Sequence, residues 1–443
     1  MGLLNNFKAM MGPRKETPTP GSASSLATST GASDSEAAEA PHERTRILFI
    51  DANADSGTQF TQLVRPRHPF WEITLSSNAG EAVEKMCASE FDAVIAPAQL
   101  PGLSGVELLN DVGRRWPGLV RLMRFAPEDK PLLRGLSGWP PLPMTHDLNG
   151  AEIEEAVERG LQIGQWMRSS AVRTLLPRMV RLPTVPEIYQ KVMQLLASPT
   201  SSAADVGQLI AQEPAISAKM LQMVNSAAFA LARPITSPEE AVMFLGTERV
   251  KGFLLVAHTA LTYDLSRCTG FSQERFWQHS LLAAGLARSI AKAETRDLQL
   301  ADEAYTAALL HDLGKLLLAA NLTDKYSQML QTAAAQKLPT HEAETLALGT
   351  THAELGACLL GTWGMPRRIL RAIAYHHSPS ASDDGQFSLL TAVHAGNVLA
   401  HGKAQGAEVV ASLQLDRAYL SRLGMTSRWS TWMEFAVETR QAA

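Results

Sequence analysis

Apolar positions change their spacing part-way along the chain. Between Thr45 and Met167, short continuous apolar runs alternate with stretches of helical period. RILFID reads as a strand ending at Asp51, followed by a helix at about Ser56–Val64 and a strand around Trp71–Leu75. A helix at Ala79–Ala88, the strand Ala93–Ala96, a helix from Val106, the strand Val120–Phe125 and a helix at Ala151–Met167 complete the series. Strands that alternate with helices predict an α/β, doubly wound parallel sheet. From Leu182 to His401 the pattern is helical throughout. Ser202 with Asp205, Pro214 and Ser237-Pro238-Glu239-Glu240 give helix starts. Gly246 gives a stop, and Gly364-Met365-Pro366 separates two more helices. The chain is therefore multidomain: an α/β unit followed by an all-α unit.

The flanks differ. Met1–Met11 spaces Leu3, Leu4, Phe7, Met10 and Met11 helically, but a frayed terminus is the ordinary reading at this length. Gly12–Glu43 is rich in Ser, Thr, Ala, Pro and Glu and lacks the apolar surface to fold. We expect a disordered tail at 1–44, an α/β domain at 45–167, a linker helix at 168–182, a helical domain at 183–403, and C-terminal helices at 404–443 that pack on it. Arg168, Arg173, Arg178 and Arg181 in the junction suit a solvated helix face or an anionic partner. Trp429 and Trp432 suit a cover for the core.

Composition narrows the picture. The 443 residues are 45% hydrophobic and 19% charged, ordinary for a globular chain. A net charge of −4 argues against general nucleic-acid binding. Cys87, Cys268 and Cys358 are odd in number and far apart, which suits a reducing cytoplasm. No apolar run reaches a transmembrane span, and no signal peptide is evident. A cytoplasmic location is the expectation.

The candidate chemistry lies in Ala304–Ala320, AYTAALLHDLGKLLLAA, which reads as one buried helix. His311, Asp312 and Lys315 interrupt it, with His311 and Lys315 one turn apart. Imidazole beside carboxylate suits a divalent cation, and the lysine suits a phosphate. Alone, the pattern fits a satisfied core histidine and a solvated Asp–Lys edge. Nine of the twelve histidines, however, fall between His258 and His401. His279, His352, the tandem His376–His377 and His394 lie in apolar helical text, where an imidazole needs a partner or a metal.

The order His279, His311–Asp312, His352, His376–His377 resembles the ligand order of the HD phosphohydrolase superfamily. From about Leu175 to His401, including MVNSAAF, AVMFLG and HDLGK, the text is similar to the HDOD family, the HD-related output domains of bacterial signalling proteins. The resemblance implies a metal site of His279, His311, Asp312, His352, His376 and His377 for a divalent ion such as Fe, Mn, Mg or Zn. Two departures stand out. Asn397 occupies the place of the superfamily's last aspartate, and the GYP signature is missing after the tandem. In NSAAFALARPIT, Asn225 and Arg233 are candidates to anchor a loop or a ligand.

The first folded unit resembles the receiver domain of response regulators, notably in FDAVIAPAQLPGLSGVELL. Asp51 matches one acid of the acidic pair, but its neighbour is Ala52. Pro97 stands at the phosphoacceptor position, Phe125 near the hydroxyl position and Met144 near the lysine position. Without a carboxylate at residue 97 there is no acyl-phosphate chemistry. The resemblance thus implies a pseudo-receiver kept for docking or dimerisation.

Two functions follow. One is a signalling module in which a pseudo-receiver is joined to an HDOD output domain. It acts through contacts with signalling proteins and binds a metal or a nucleotide. The other is a metal-dependent phosphodiesterase acting on a cyclic dinucleotide or nucleotide, with Lys315 as the candidate catalytic group. Asn397 discriminates between them and favours the module.

Overall fold

The computed structural model describes residues 44–441 apart from 127, 130, 131, 133–138, 146–149, 168, 180, 199, 227, 228, 230, 232 and 406–413. The expected N-terminal helix and disordered tail lie outside the described residues. Five strands, β1 (Thr45–Ile50), β2 (Trp71–Ser76), β3 (Ala93–Pro97), β4 (Val120–Phe125) and β5 (Leu142–Thr145), form a parallel sheet in the order β2-β1-β3-β4-β5. This is the flavodoxin-like doubly wound order. Helices α1 (Ala54–Val64), α2 (Ala79–Ala88), α3 (Gly105–Arg115) and α4 (Gly150–Met167) cover it.

Strand β5 was not anticipated. It is an edge strand and holds Pro143, and proline is confined to such edges because it cannot donate to a ladder. A two-residue hairpin, Gln99–Leu100 with Leu103–Ser104, leads into α3, where Ser104 accepts from Val106 N. Strand residues alternate between two cores. Leu48, Ile50, Val94 and Ala96 face α2 and α3. Ile47, Phe49, Ile95 and Leu122 join α4 in a core that continues into the helical region.

That continuity is built on α4. Its Ile163 packs into the place a side chain would take at Gly361, and its Trp166 meets Tyr375 edge-on at 6.2 Å. Trp166 Nε1 also donates to Tyr375 Oη over 3.3 Å, and Arg367 pairs with Glu158. Within 168–182 stand a six-residue helix, α5 (Ser170–Leu175), and a 3₁₀ turn at Leu176–Arg178. No single helix bridges the junction.

The helical region runs α6 (Glu187–Leu196), α7 (Ala203–Ala211), α8 (Pro214–Val224), α9 (Pro238–Leu245), α10 (Thr247–Thr262), α11 (Gln273–Thr295) and α12 (Leu298–Leu310). It continues with α13 (Leu313–Asn321), α14 (Thr323–Gln336), α15 (Thr340–Leu348), α16 (His352–Thr362), α17 (Arg367–Ala374) and α18 (Leu389–Gln405). Helices α19 (Arg417–Arg422) and α20 (Arg428–Gln441) close it. Ser202 and Asp205 form a full capping box, and Ser237 caps α9. Trp432 of α20 is fully buried, and its Nε1 donates to Glu294 Oε1 over 2.8 Å.

The expected single helix at Ala304–Ala320 is corrected. It breaks at His311–Asp312, which separate α12 from α13. The reason lies at Gly314, where a Cβ would stand 2.0 Å from the carbonyl oxygen of His352. The chain turns to bring its backbone against α16, and both polar residues are freed for use inside. Nor is there a solvated Asp–Lys edge, since Asp312 is 2% exposed.

Candidate functional site

Five places on the fold deliver the cluster. Helix α11, capped by Ser272, carries His279. The α12–α13 turn carries His311 and Asp312, and the first residue of α16 is His352. The turn after α17 carries His376 and His377, and α18 carries Asn397.

The structure brings all of the nominated side chains together. Asp312 is central. Its Oδ1 lies 3.0 Å from His352 Nε2 and 3.4 Å from His311 Nε2, and its Oδ2 lies 3.6 Å from His279 Nε2. His279 Nε2 is 3.3 Å from His311 Nε2 and 2.9 Å from Asn397 Oδ1. His377 Nε2 is 3.2 Å from His352 Nε2. Two sets of ligand atoms fall within 4.8 Å of one another: Asp312, His352, His376 and His377, and His279, His311 and Asp312. Asp312 belongs to both. Lys315 Nζ donates to Asp312 Oδ2 over 2.7 Å, so the lysine meets the aspartate rather than the histidine one turn before it.

The outer ring nitrogens fix what the inner ones are. His311 Nδ1 lies 2.6 Å from Ala308 O, and His376 Nδ1 lies 2.7 Å from Ile373 O. A carbonyl only accepts, so each Nδ1 carries the proton and each neutral ring turns an Nε2 lone pair inward. His352 Nδ1 is held the same way by Glu344 Oε2 at 2.6 Å. Glu344 is itself fully buried and accepts also from His352 N and Tyr326 Oη. Such outer hydrogen bonds orient metal-ligating histidines.

Burial keeps His279, His376 and His377 well below the ordinary imidazole range and lowers His311 too, so these rings are neutral at neutral pH. Burial works against a charged Asp312, but His311, Lys315 and His352 hold its carboxyl well below the usual range. Burial also opposes charge on His352, yet Glu344 raises its pKa.

The donor set fits a cation. Two buried acceptors, Asp312 Oδ1 and His376 Nε2, have no well-directed hydrogen bond. Lone pairs that converge without protons between them repel, and a cation relieves that repulsion. Imidazole nitrogen with one carboxylate suits borderline divalent ions.

Sequence reasoning passed over three contributors. Glu344 sits eight residues before its histidine, in polar text like any surface helix. His341 stacks on His377 with ring centres 3.9 Å apart, and His401 stacks on His279 at 4.3 Å. Burial pushes both rings down to about 4. The histidine density was the available signal. His394, by contrast, is closed at both nitrogens by His376 O and Asp416 N, as in a structural core histidine. Asn225 clasps Ile235 through both its amide atoms, and Arg233 pairs with Glu240, so both anchor their loop.

In the α/β unit, Asp51 stands at the carboxyl end of β1, where Oδ2 pairs with Arg124 Nη1 at 2.6 Å. Pro97 is buried at the end of β3, and Met144 is buried in β5. No acceptor carboxylate stands at residue 97.

Comparisons with known proteins match parts of the chain. The HDOD domain family matches residues 182–379. A protein of Treponema pallidum (strain Nichols), itself uncharacterized, is 24% identical over 229 residues, 52% of this chain and 44% of that one. The chain thus spans less than half of that relative. An HDOD domain protein of unknown function from Geobacter sulfurreducens is 23% identical with a TM-score of 0.45, covering 59% of this chain and 93% of that one. The signal receiver domain of an HD domain-containing protein from Pseudomonas fluorescens Pf-5 is 20% identical, TM-score 0.27, over 30% of this chain and 97% of that one. Among the described residues, no helix is long and apolar enough to cross a membrane.

Proposed function

Given that residues 182–379 are an HDOD domain, we propose that the chain is a signal-transduction module with a pseudo-receiver and a metal-holding, non-hydrolytic output domain. His279, His311, Asp312, His352, His376 and His377 would hold the ion. The nitrogen-rich set favours Fe, Mn or Zn over Mg. A bound divalent ion would supply Lewis acidity toward a phosphoryl oxygen. The single observation that carries the non-hydrolytic reading is Asn397, whose amide stands 2.9 Å from His279 Nε2. A neutral amide supplies no charge on the His279–His311 side, so a second dication there is weakly retained. A two-ion clamp on attacking and leaving oxygens is then incomplete.

Two features support the signalling part. Pro97 offers no nucleophile and Arg124 already neutralises Asp51, so the α/β unit has no phosphorylation chemistry of its own. Helix α4 packs near Gly361 on α16, which begins at His352, and on α17, which runs into His376–His377, so contacts made by the α/β unit have a packed route toward the cluster. Signalling proteins are the expected partners.

The hydrolytic alternative draws on Lys315, which is 2.7 Å from Asp312 and placed to steady phosphate charge. One experiment separates the two. Metal stoichiometry and hydrolysis of cyclic dinucleotides with added Mn²⁺ or Fe²⁺ are measured for the native protein and for Asn397→Asp. We expect bound metal and turnover lower by about 10²–10³ than a complete site would give. Brisk, metal-dependent turnover by the native protein would sink the proposal.

A further inference from the structure

A second polar site lies away from the histidine cluster, at the seam between the α/β unit and the helices. It is a cleft of about 640 Å³ lined by Glu155 and Arg159 of α4, Arg367, Arg368 and Arg371 of α17, and Asp384 and Ser388 ahead of α18, the Ser388 hydroxyl donating to Asp384. Such a volume suits a nucleotide-sized ligand.

The charges here are unevenly satisfied. Arg367 pairs with Glu158, Arg368 with Glu303, and Arg371 with Asp383 and Asp384. Arg159 differs. It is 8% exposed, and among the described residues it makes no hydrogen bond or ion pair. Arg367 also keeps a buried Nε–H without an acceptor. Glu155 is the charged neighbour of Arg159 but does not hydrogen-bond it, and a buried N–H without an acceptor is costly, so the two unmatched Nε–H donors ask for an anion. The neighbouring carboxylate, Glu155, has its Oε1 on the backbone N–H of Arg367 at 3.3 Å, at the start of α17.

The backbone adds to this. The first residues of both α17 and α18 line the cleft. Helix N-termini carry positive partial charge and free N–H groups, and they favour anions. Planar guanidinium forks match phosphoryl oxygens in pairs.

We infer that this seam is a binding site for the phosphoryl group of a small, nucleotide-sized metabolite, with Arg159 and Arg367 as its principal donors and Glu155 as the internal anion it displaces. The inference is independent of whether the histidine cluster hydrolyses anything. Occupation would tie α4 to α17, the helix that runs into Tyr375 and His376–His377. The cleft is therefore placed to tell the cluster what the seam has bound.

The test is calorimetric titration of the full chain, in EDTA so that no metal site competes for phosphate. The probes are inorganic phosphate, pyrophosphate, ADP, adenosine and citrate. We expect saturable binding of pyrophosphate and ADP and none of adenosine. Arg159→Gln should weaken that binding by about tenfold or more. Glu155→Gln should tighten it, a sign opposite to the one a merely structural role would give. If Arg159→Gln does not fold, hydrogen exchange of the native protein decides. Pyrophosphate should protect residues 150–167 and 366–374. Protection confined to residues 311–315 would overturn the inference. So would citrate binding as tightly as pyrophosphate, or no binding of pyrophosphate or ADP below about 10 mM.

Discussion

Mild acid should destabilise this protein, and the histidine cluster sets how far. An ordinary imidazole titrates near 6.5. Burial holds His341 and His401 at about 4, and His279, His376 and His377 well below the ordinary value. For a lowered histidine, the unfolded chain binds the proton that the folded chain refuses. Stability is therefore intact above about 6.5 and falls as pH drops through that value toward the folded one. Each ring loses up to about 1.4 kcal/mol per pH unit well below 6.5, and about 1.3 kcal/mol in all between about pH 7.5 and 5.5, where the proton is taken up mainly in the lower half. The loss is the same for a still lower pKa, because the folded ring stays neutral either way. Five rings give roughly 6–7 kcal/mol. His352 has the opposite sign. Its raised pKa gives stability that is fully present below about 6.5 and lost as pH rises, so acid returns part of the loss. The net loss is several kcal/mol, a large part of a typical total of about 5–15 kcal/mol. Free carboxylates do not titrate in this window. The assay is guanidinium unfolding of EDTA-treated protein at about pH 7.5, 6.5 and 5.5, followed by tryptophan fluorescence. A saturating divalent ion should blunt the fall, because it competes with protons for the same nitrogens. A loss below about 1 kcal/mol over those two units would refute the reasoning, since it would mean that the rings are solvated and not held neutral.

Two further outcomes follow from the geometry. Asp51→Ala removes the carboxylate that pairs with the buried guanidinium of Arg124, whose side chain is 2% exposed. It should cost about 3 kcal/mol in chemical denaturation, while Asp51→Ala with Arg124→Met should regain most of that, and equal loss in both would contradict a buried ion pair. Glu344→Gln should keep the fold but remove the charge behind His352. It should weaken metal binding about 10–100-fold in chelator competition, and unchanged affinity would show that His352 is not a ligand.

Much of this was readable in advance, and the failures have physical causes. The parallel sheet was legible because buried parallel strands are continuous apolar runs with helical text between them. Strand β5 was hidden by Pro143, which is tolerated only because the strand lies at the edge. Imidazole in apolar text marked the histidines as candidates, and the resemblance to the HD ligand order supplied the set of five histidines and Asp312. The break at His311–Asp312 was not. Nothing in AALLHDLGKLLL departs from helical period, and the interruption comes from a backbone contact with a helix nearly forty residues later. Glu344, His341 and His401 escaped because a carboxylate or imidazole in polar text looks solvated until tertiary packing covers it. The seam cleft escaped for the same reason: RRILR reads as a surface helix start, and only α4 makes it a recess.

The glycine contact between α13 and α16 has a consequence for selectivity. Gly314 and Gly356 let the two main chains touch, with a Cβ at Gly356 only 3.0 Å from Gly314 N. Asp312 lies two residues before one glycine, and His352 four before the other. The span between these two candidate ligands is therefore gauged by backbone thickness, not by side chains that can swing. Such an aperture does not stretch. Ca²⁺ ligands stand at 2.3–2.6 Å in flexible cages of six to eight oxygens, whereas the shorter bonds of zinc-sized ions suit a tight gauge. A single methyl group at residue 314 would pry the gauge open and trade discrimination for looseness, with no ligand changed.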